Sequence, residues 1–94
     1  MYIVTVKFHI KPEYLADFMP AMTKQAKDSL TLEDACTQFD ISTSENDPNL
    51  IFLYEIYNSK ADFDVHLASA HFKSFSEKVG TWVSEKHVET FNLV

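Results

Sequence analysis

One histidine and one carboxylate are the side chains in this sequence best suited to proton transfer. His66 stands beside Phe63 and Leu67 on the predicted inward face of a helix, and an imidazole, with a pKa of about 6.5, exchanges protons near neutral pH. Glu55 lies within an apolar run, where a carboxylate is either paired or has a raised pKa. We predict His66 as the catalytic acid or base, with Glu55 as the residue that orients it.

Both residues also have a purely structural interpretation. His66 could be a buried histidine that bonds a strand carbonyl or a carboxylate and so fixes its helix. Glu55 could form an ion pair at a dimer interface, and direct acid–base catalysis by Glu55 is the weaker alternative. The residue types alone leave these interpretations open.

A second histidine, His71, follows His66 by five positions. On a continuous helix it would lie about 140° around the axis from His66, whereas histidines that share a metal on one helix are typically four positions apart. The stretch "LASAH" could instead break the helix, with Ser69 capping a new segment. We therefore interpret His71 as a capping or packing residue, treat the two histidines as unrelated, and predict no metal site.

Aromatic side chains around His66 could hold a ligand. Tyr57 ends a strand and could donate a hydrogen bond, although a core or interface tyrosine is equally compatible. Phe63 and Phe72 belong to an apolar helical stripe that continues to Trp82, and we predict all four as substrate-binding residues. The conservative interpretation of Trp82 is a core residue.

The composition excludes several classes of protein. A chain of 94 residues with 46% hydrophobic residues is one folded domain, residues 1–94. Net charge is −6 and the eight basic residues are all lysines without a cluster, so no nucleic-acid partner is predicted. A single cysteine, Cys36, excludes an internal disulfide. Apolar runs are too short to span a membrane and the start lacks the pattern of a signal peptide, so we expect a soluble, cytoplasmic protein.

Periodicity predicts four strands and two helices. Alternation over residues 2–10 predicts a strand, and Pro12 suits the first turn of a helix that extends to about residue 29, kinked or loosened at Pro20. Strands follow at residues 36–44 and in "LIFLYEIY", residues 50–57. Ser59 and Asp62 form a capping box for the second helix, whose apolar stripe runs to residue 83, and residues 84–94 form the last strand.

The predicted order is therefore βαββαβ, which is the order of the ferredoxin-like α+β fold: a four-stranded antiparallel sheet with both helices on one face. The strand "LIFLYEIY" is apolar on both of its faces, so the face without helices must also be covered. A second copy related by a two-fold axis would cover it. We predict a homodimer that forms through the sheet face.

Residues 2–94 resemble the antibiotic-biosynthesis-monooxygenase-like family of dimeric α+β barrel proteins. The resemblance is carried by "FLYEIYNSKADFDVHLASAHFKSF", an aromatic-Glu-x-aromatic pattern followed by Ala, His, Ser and His-Phe at the family's spacing. The hairpin "EDACTQFDI" with "DPNLIFLYE" resembles the family's second and third strands. One departure is Glu33-Asp34-Ala35-Cys36, where relatives often have Glu-Pro-Gly-Cys, and alanine adopts a positive φ poorly.

The resemblance implies three functions. The first is a cofactor-independent monooxygenase acting on a small aromatic or quinol-type molecule in a cavity between helices and sheet, with His66 beside that cavity. The second is an isomerase of a phosphorylated metabolite, which would need cationic residues in the cavity. The third is a non-enzymatic dimeric binding module, whose aromatic residues would close the cavity. The Asn/Trp/His set of the heme-degrading relatives has no counterpart here, so no heme is expected. The cofactor-independent function that the resemblance implies needs no metal or flavin.

Overall fold

The computed structural model describes all 94 residues as two layers, a sheet and the helices packed on one side of it. Its strands and helices are β1 (Tyr2–Ile10), α1 (Leu15–Leu32), β2 (Cys36–Thr43), β3 (Leu50–Tyr57), α2 (Lys60–Ala68), α3 (Ala70–Val79) and β4 (Val83–Asn92). Single 3₁₀ turns precede α1 (Pro12–Tyr14) and β4 (Gly80–Trp82). The sheet is antiparallel in the order β2-β3-β1-β4, so the predicted ferredoxin-like fold is confirmed.

The strand register decides which side chains face the helices. Val4 on β1 is paired with Glu55 on β3 and with Thr90 on β4, and directly paired residues point to the same face of a sheet. Every second residue of β3, from Ile51 to Tyr57, is buried, while the intervening residues are half-buried. The helix-facing side of the sheet therefore holds the core together with one carboxylate, Glu55.

Helix α1 is longer than its sequence pattern indicated. It runs through Pro20 and ends at Leu32, three residues beyond the predicted end near Ser29. The backbone N–H of Glu33 still donates to the Ser29 carbonyl at 3.2 Å, so the last turn is complete. Glu33 consequently occupies the C-terminal end of α1, in an extended conformation.

A break at Ser69 divides the second helical region into α2 and α3. Ser69 is extended, with φ −69° and ψ 150°, and its hydroxyl oxygen accepts a hydrogen bond from the Phe72 N–H at 3.2 Å. At the start of α2, Ser59 accepts in the same way from the Asp62 N–H. Both predicted caps are confirmed, and the helix axis changes direction between His66 and His71.

The predicted continuation of the helical stripe to residue 83 is wrong. Helix α3 ends at Val79, Trp82 belongs to the 3₁₀ turn, and Val83 begins β4. Gly80, which lowers helix propensity by about 1 kcal/mol relative to alanine, directly follows the last helical residue. Trp82 instead stacks on Tyr14, with ring centroids 5.9 Å apart and planes at 17°.

None of the helices combines the length and the apolar character that a membrane crossing requires.

Candidate functional site

A cavity of about 160 Å³ lies between the α2–α3 segments and the helix-facing side of the sheet. Ten of its fourteen lining residues are hydrophobic, and the side chains that matter for chemistry are Glu55, Phe63, His66, Phe72 and Lys86. Phe63, Phe72 and Phe75 line this space and leave it open. Larger recesses of about 290 and 350 Å³ are open grooves whose lining includes no histidine.

His66 is a deeply buried polar side chain of the cavity, with 3% of its surface exposed, as are Gln25 and Glu55. Its ring is stacked on Phe63 at 5.9 Å between centroids and lies 5.2 and 5.1 Å from Tyr57 and Phe72. Nδ1 lies 2.7 Å from Oε2 of Glu33 and donates to it, because a carboxylate accepts. Nε2 has no hydrogen-bond partner in the chain and is the nitrogen that remains for a ligand.

The pKa of His66 is lowered by burial, which penalises the charged imidazolium. The hydrogen bond and the charge of Glu33 oppose this change, and the nearby His71 adds to it. The balance favours a neutral imidazole at neutral pH, which is the form that accepts a proton.

The predicted pairing of Glu55 with His66 is wrong, and the partner is Glu33. Cys36 pairs with Tyr57 at the end of the β2–β3 hairpin, so the turn before Cys36, including Glu33, lies beside the region where α2 follows β3. Nothing in the local pattern at Glu33 indicated this contact, which joins residues 33 positions apart. The one available signal was the resemblance of "EDAC" to a family turn that begins with glutamate.

The alanine in that turn is accommodated without strain. No residue of the chain has a positive φ, so the Glu33–Cys36 turn does not require a glycine. The Ala35 carbonyl accepts a hydrogen bond from the Asn58 N–H at 2.9 Å. The departure from the family pattern therefore leaves the turn in place.

The two histidines form a pair, contrary to the sequence-based interpretation. Nε2 of His71 lies 2.7 Å from Oε2 of Glu33, the same oxygen that His66 contacts, and the two imidazole centroids are 5.7 Å apart. The 140° separation applies only to a continuous helix, and the break at Ser69 removes that condition. Glu33, His66 and His71 thus form a three-residue cluster at the end of the cavity.

Glu55 is bound by Tyr57 and not by a histidine. The Tyr57 hydroxyl donates to Oε1 of Glu55 at 2.6 Å, and both side chains are buried. Burial raises the pKa of Glu55 to about 7, an effect that the Tyr57 hydrogen bond and the charge of Lys86 oppose and the charge of Glu33 reinforces. Burial and the neighbouring Glu55 also raise the pKa of Tyr57. Because its hydroxyl donates to Glu55, Tyr57 is the hydrogen-bond partner of that carboxyl group in this structure and not of a ligand.

Lys86 is a cavity residue that the sequence did not single out. It lies on β4 and is paired with Phe8 on β1, so its side chain points toward the helices. The Nζ atom lies 5.5 Å from the centroid of Phe8 and 5.9 Å from that of Phe72. Partial burial lowers the pKa of this ammonium, while Glu55 opposes the change. The available signal was spacing: Lys86 is two residues from the apolar Val88, so both side chains lie on the same face of β4.

Two other residues have structural roles. Trp82 does not line this cavity and stacks on Tyr14 at the opposite end of α3, so the structure does not bring it together with Phe63 and Phe72. Cys36 is buried, and burial raises the pKa of its thiol to about 11. A thiol of that pKa is protonated at neutral pH and is not a nucleophile.

Residues 1–78 match the sequence model of the antibiotic biosynthesis monooxygenase family. A structure from Nitrosomonas europaea, provisionally described as an antibiotic biosynthesis monooxygenase, is 26% identical with a TM-score of 0.93 and covers 100% of this chain and 99% of its own. One from Deinococcus radiodurans with the same provisional description is 16% identical, with a TM-score of 0.93 over 100% of this chain and 93% of its own. A conserved protein from Methanosarcina mazei Go1 is 20% identical, with a TM-score of 0.92 over 99% of this chain and 92% of its own. The last two similarities concern the fold alone, and the search of curated proteins found no match.

Proposed function

This chain belongs to the antibiotic biosynthesis monooxygenase family, and on that premise we propose that it oxygenates a small, single-ring phenol or hydroquinone without a metal or flavin. The observation that carries the proposal is the position of His66. Its neutral imidazole lines an apolar cavity, and Glu33 holds Nδ1 at 2.7 Å. This arrangement supplies a base where an aromatic ring would bind.

The chemistry begins with the transfer of a hydroxyl proton from the ligand to Nε2 of His66. The imidazolium that forms is stabilised by Glu33, in the way that a carboxylate stabilises the histidine of a catalytic triad. The electron-rich anion then gives an electron to O₂, and the resulting radical and superoxide combine to form a C–O–O bond. His66 returns the proton to the peroxide, and loss of water leaves a carbonyl. One hydroquinone and one O₂ give one hydroxyquinone and one water.

The size of the cavity supports a single-ring ligand. Its volume of about 160 Å³ is close to that of an engineered apolar cavity of about 150 Å³ that binds benzene. Phe63 and Phe72 provide aromatic surfaces, and Lys86 provides one positive charge for a phenolate. Lys86 is the one cationic residue of the lining and faces Glu55, so the cavity suits a weakly acidic phenol better than a phosphorylated sugar.

Binding of one ring is tested by NMR titration of the labelled protein with 1,4-hydroquinone under nitrogen. We expect saturable shifts of the methyl signals of Leu53 and Met22, which line the cavity, because a bound ring would lie against them. The exposed Leu30 and Leu32 on α1 serve as controls and should not move. Anthrone, with three fused rings, should bind at least tenfold more weakly. Equal affinities for the two ligands, or shifts confined to the control methyls, would contradict the proposal.

A homodimer through the sheet is also part of the proposal. The sheet face away from the helices carries an apolar patch of Ile3, Phe52, Tyr54, Ile56 and Phe91. The register supports this, since Ile3 is paired with both Ile56 and Phe91. Phe91 is 47% exposed in the single chain. Burial of this patch against a second copy is favourable at roughly 25 cal/mol per Å².

Sedimentation velocity of the wild-type protein is expected to give a dimer. Ile56→Lys, which places a charge within the patch, should weaken dimerisation at least tenfold because the ammonium loses its hydration in the interface. Val65→Lys on the exposed side of α2, where Val65 is 64% exposed, is the matched control and should leave the dimer intact. A monomeric wild type, or a dimer unaffected by Ile56→Lys, would rule out this interface.

A further inference from the structure

We infer that Glu33, His66 and His71 form a binding site for a single divalent transition-metal ion. The inference rests on the geometry of these three side chains and is independent of the proposed oxygenation. Glu33 offers Oε2, His66 offers Nδ1 and His71 offers Nε2, and these three atoms all lie within 4.8 Å of one another. Two imidazole nitrogens and one carboxylate are a ligand set that binds Zn²⁺ and other first-row divalent ions.

The distances between these atoms are close to those that a metal requires. Both nitrogens lie 2.7 Å from the Glu33 oxygen. Tetrahedral ligands at 2.0–2.2 Å from an ion are about 3.3–3.6 Å apart, so each 2.7 Å contact has to lengthen by about 0.6–0.9 Å. Glu33 follows the last residue of α1, and its side chain has three rotatable bonds through which the carboxylate can be displaced.

One atom of the cluster lacks the partner that a buried polar atom normally has. Nε2 of His71 is buried without a hydrogen bond, although it is close to Glu33, because the direction of approach is unsuitable. On the other side of the ring, Nδ1 of His71 faces Oε1 of Gln25 at 3.4 Å. An amide oxygen only accepts, so this contact suits a proton on Nδ1, and it turns Nε2 toward the cluster.

This arrangement is incomplete without a positive charge. Nε2 of His71 lies 2.7 Å from a carboxylate oxygen without a hydrogen bond to it, and a positive charge near both atoms, on a proton or a metal ion, makes so short a contact favourable. In metal sites the second nitrogen of a histidine ligand typically donates to a hydrogen-bond acceptor, such as a carbonyl oxygen, which fixes the tautomer. Gln25, which is 3% exposed, holds His71 in this way.

The surroundings provide access and a favourable charge. His71 also lines a surface groove of about 140 Å³ on the outside of α1 and α3, whereas His66 lines the inner cavity. The cluster lies between these two spaces, so an ion can arrive from the groove. Glu55 is near enough to Glu33 for their charges to interact, which makes the site more negative. Because the ion would replace the hydrogen bond between Glu33 and His66, a bound ion should inhibit the proposed oxygenation.

Calorimetric titration with Zn²⁺ of the full, untagged chain, after dialysis against EDTA, tests the inference without substrate. We expect one ion per chain, with affinity reduced at least 30-fold in Glu33→Gln and in His71→Ala. His87→Ala is the matched control, since His87 is an exposed histidine 3.0 Å from Glu85, and its affinity should equal that of the wild type. Absence of saturation at 1 mM Zn²⁺, or equal affinity of wild type and His71→Ala, would overturn the site.

A measurement on the wild-type chain keeps the test independent of the folding of the variants. On addition of Zn²⁺, the imidazole ¹⁵N signals of Nδ1 of His66 and Nε2 of His71 should shift together at one equivalent. Shifts confined to the exposed His9 and His87 would overturn the inference. Since neither experiment uses a phenol or O₂, failure of the metal site and failure of the proposed oxygenation are observed separately.

Discussion

Replacing His66 with alanine is expected to lower kcat for hydroquinone oxygenation by about 10²–10⁴-fold, the range that general-base catalysis contributes. The hydroxyl proton of a ligand in the cavity would then have no acceptor, since Glu33 contacts the ligand only through His66 and Glu55 is occupied by Tyr57. KM should change less than about tenfold, because the aromatic lining remains. Oxygen uptake by EDTA-treated protein gives both constants.

The control for this change is His87→Ala, in which an imidazole on the exposed outer side of β4 is removed. This variant should retain wild-type kcat. Added imidazole should restore part of the activity of His66→Ala by occupying the space left by the ring, an effect that a purely structural role of His66 would not produce. Full activity of a folded His66→Ala would show that His66 is not the base.

The variant Glu55→Gln is expected to gain stability over the wild type as the pH rises from 4.5 to 7, because only the wild type loses unfolding free energy over this range. Burial raises the pKa of Glu55 from 4.5 to about 7. Between these values the unfolded chain has lost the proton that the folded chain still holds, so the free energy of unfolding of the wild type falls by up to about 1.4 kcal/mol per pH unit. The loss is complete above the folded pKa and amounts to about 3 kcal/mol.

Urea denaturation of both proteins at pH 4.5, 5.5, 6.5 and 7.5 measures this change. Glutamine keeps the shape and the hydrogen-bonding capacity of a neutral carboxyl group but does not ionise, so the difference in unfolding free energy between variant and wild type should grow with pH and level off above 7. Lys86, Tyr57 and Glu33 interact with Glu55 and are present in both proteins. Glu77→Gln, on the exposed side of α3, is the control and should show no such trend. A pH-independent difference for Glu55→Gln would mean that the carboxyl group titrates normally.

The fold could be predicted from local patterns because each element carries its own signal. The bounds of β3 follow from the run "LIFLYEIY" between turn residues. The break at Ser69 follows from the preference of serine for helix N-caps. Element ends were less accurate where a helix pattern continued into a different structure, as at Trp82, because an apolar residue at helical spacing does not reveal a change of backbone direction.

Only those parts of the site that depend on a single helix could be predicted from the sequence. The inward position of His66 follows from its own helix, and so do the positions of Phe63 and Phe72. Its partner Glu33 depends on where α1 ends and on the register between β2 and β3, both of which are set by packing across the whole domain. The pairing of His66 with His71 depends on the angle between α2 and α3, which residue spacing along a sequence does not contain.

Lys86 illustrates the same limit. Its side chain faces the cavity because β4 pairs with β1 in one register, and a shift by one residue would place it on the other face. A lysine on an edge strand is ordinarily exposed to solvent, so the residue type gives no sign of an inward position. The charge inside the cavity, which bears directly on the substrate, therefore becomes visible only in the folded chain.

The most direct test of the account is a turnover of 1,4-hydroquinone by EDTA-treated protein under ¹⁸O₂, followed by rapid mass spectrometry of the product. We predict a hydroxyquinone that contains one ¹⁸O atom, formed by the wild type at least 10²-fold faster than by His66→Ala, the lower end of the range of about 10²–10⁴ for general-base catalysis. A product without ¹⁸O, or equal rates for the two proteins, would contradict the account.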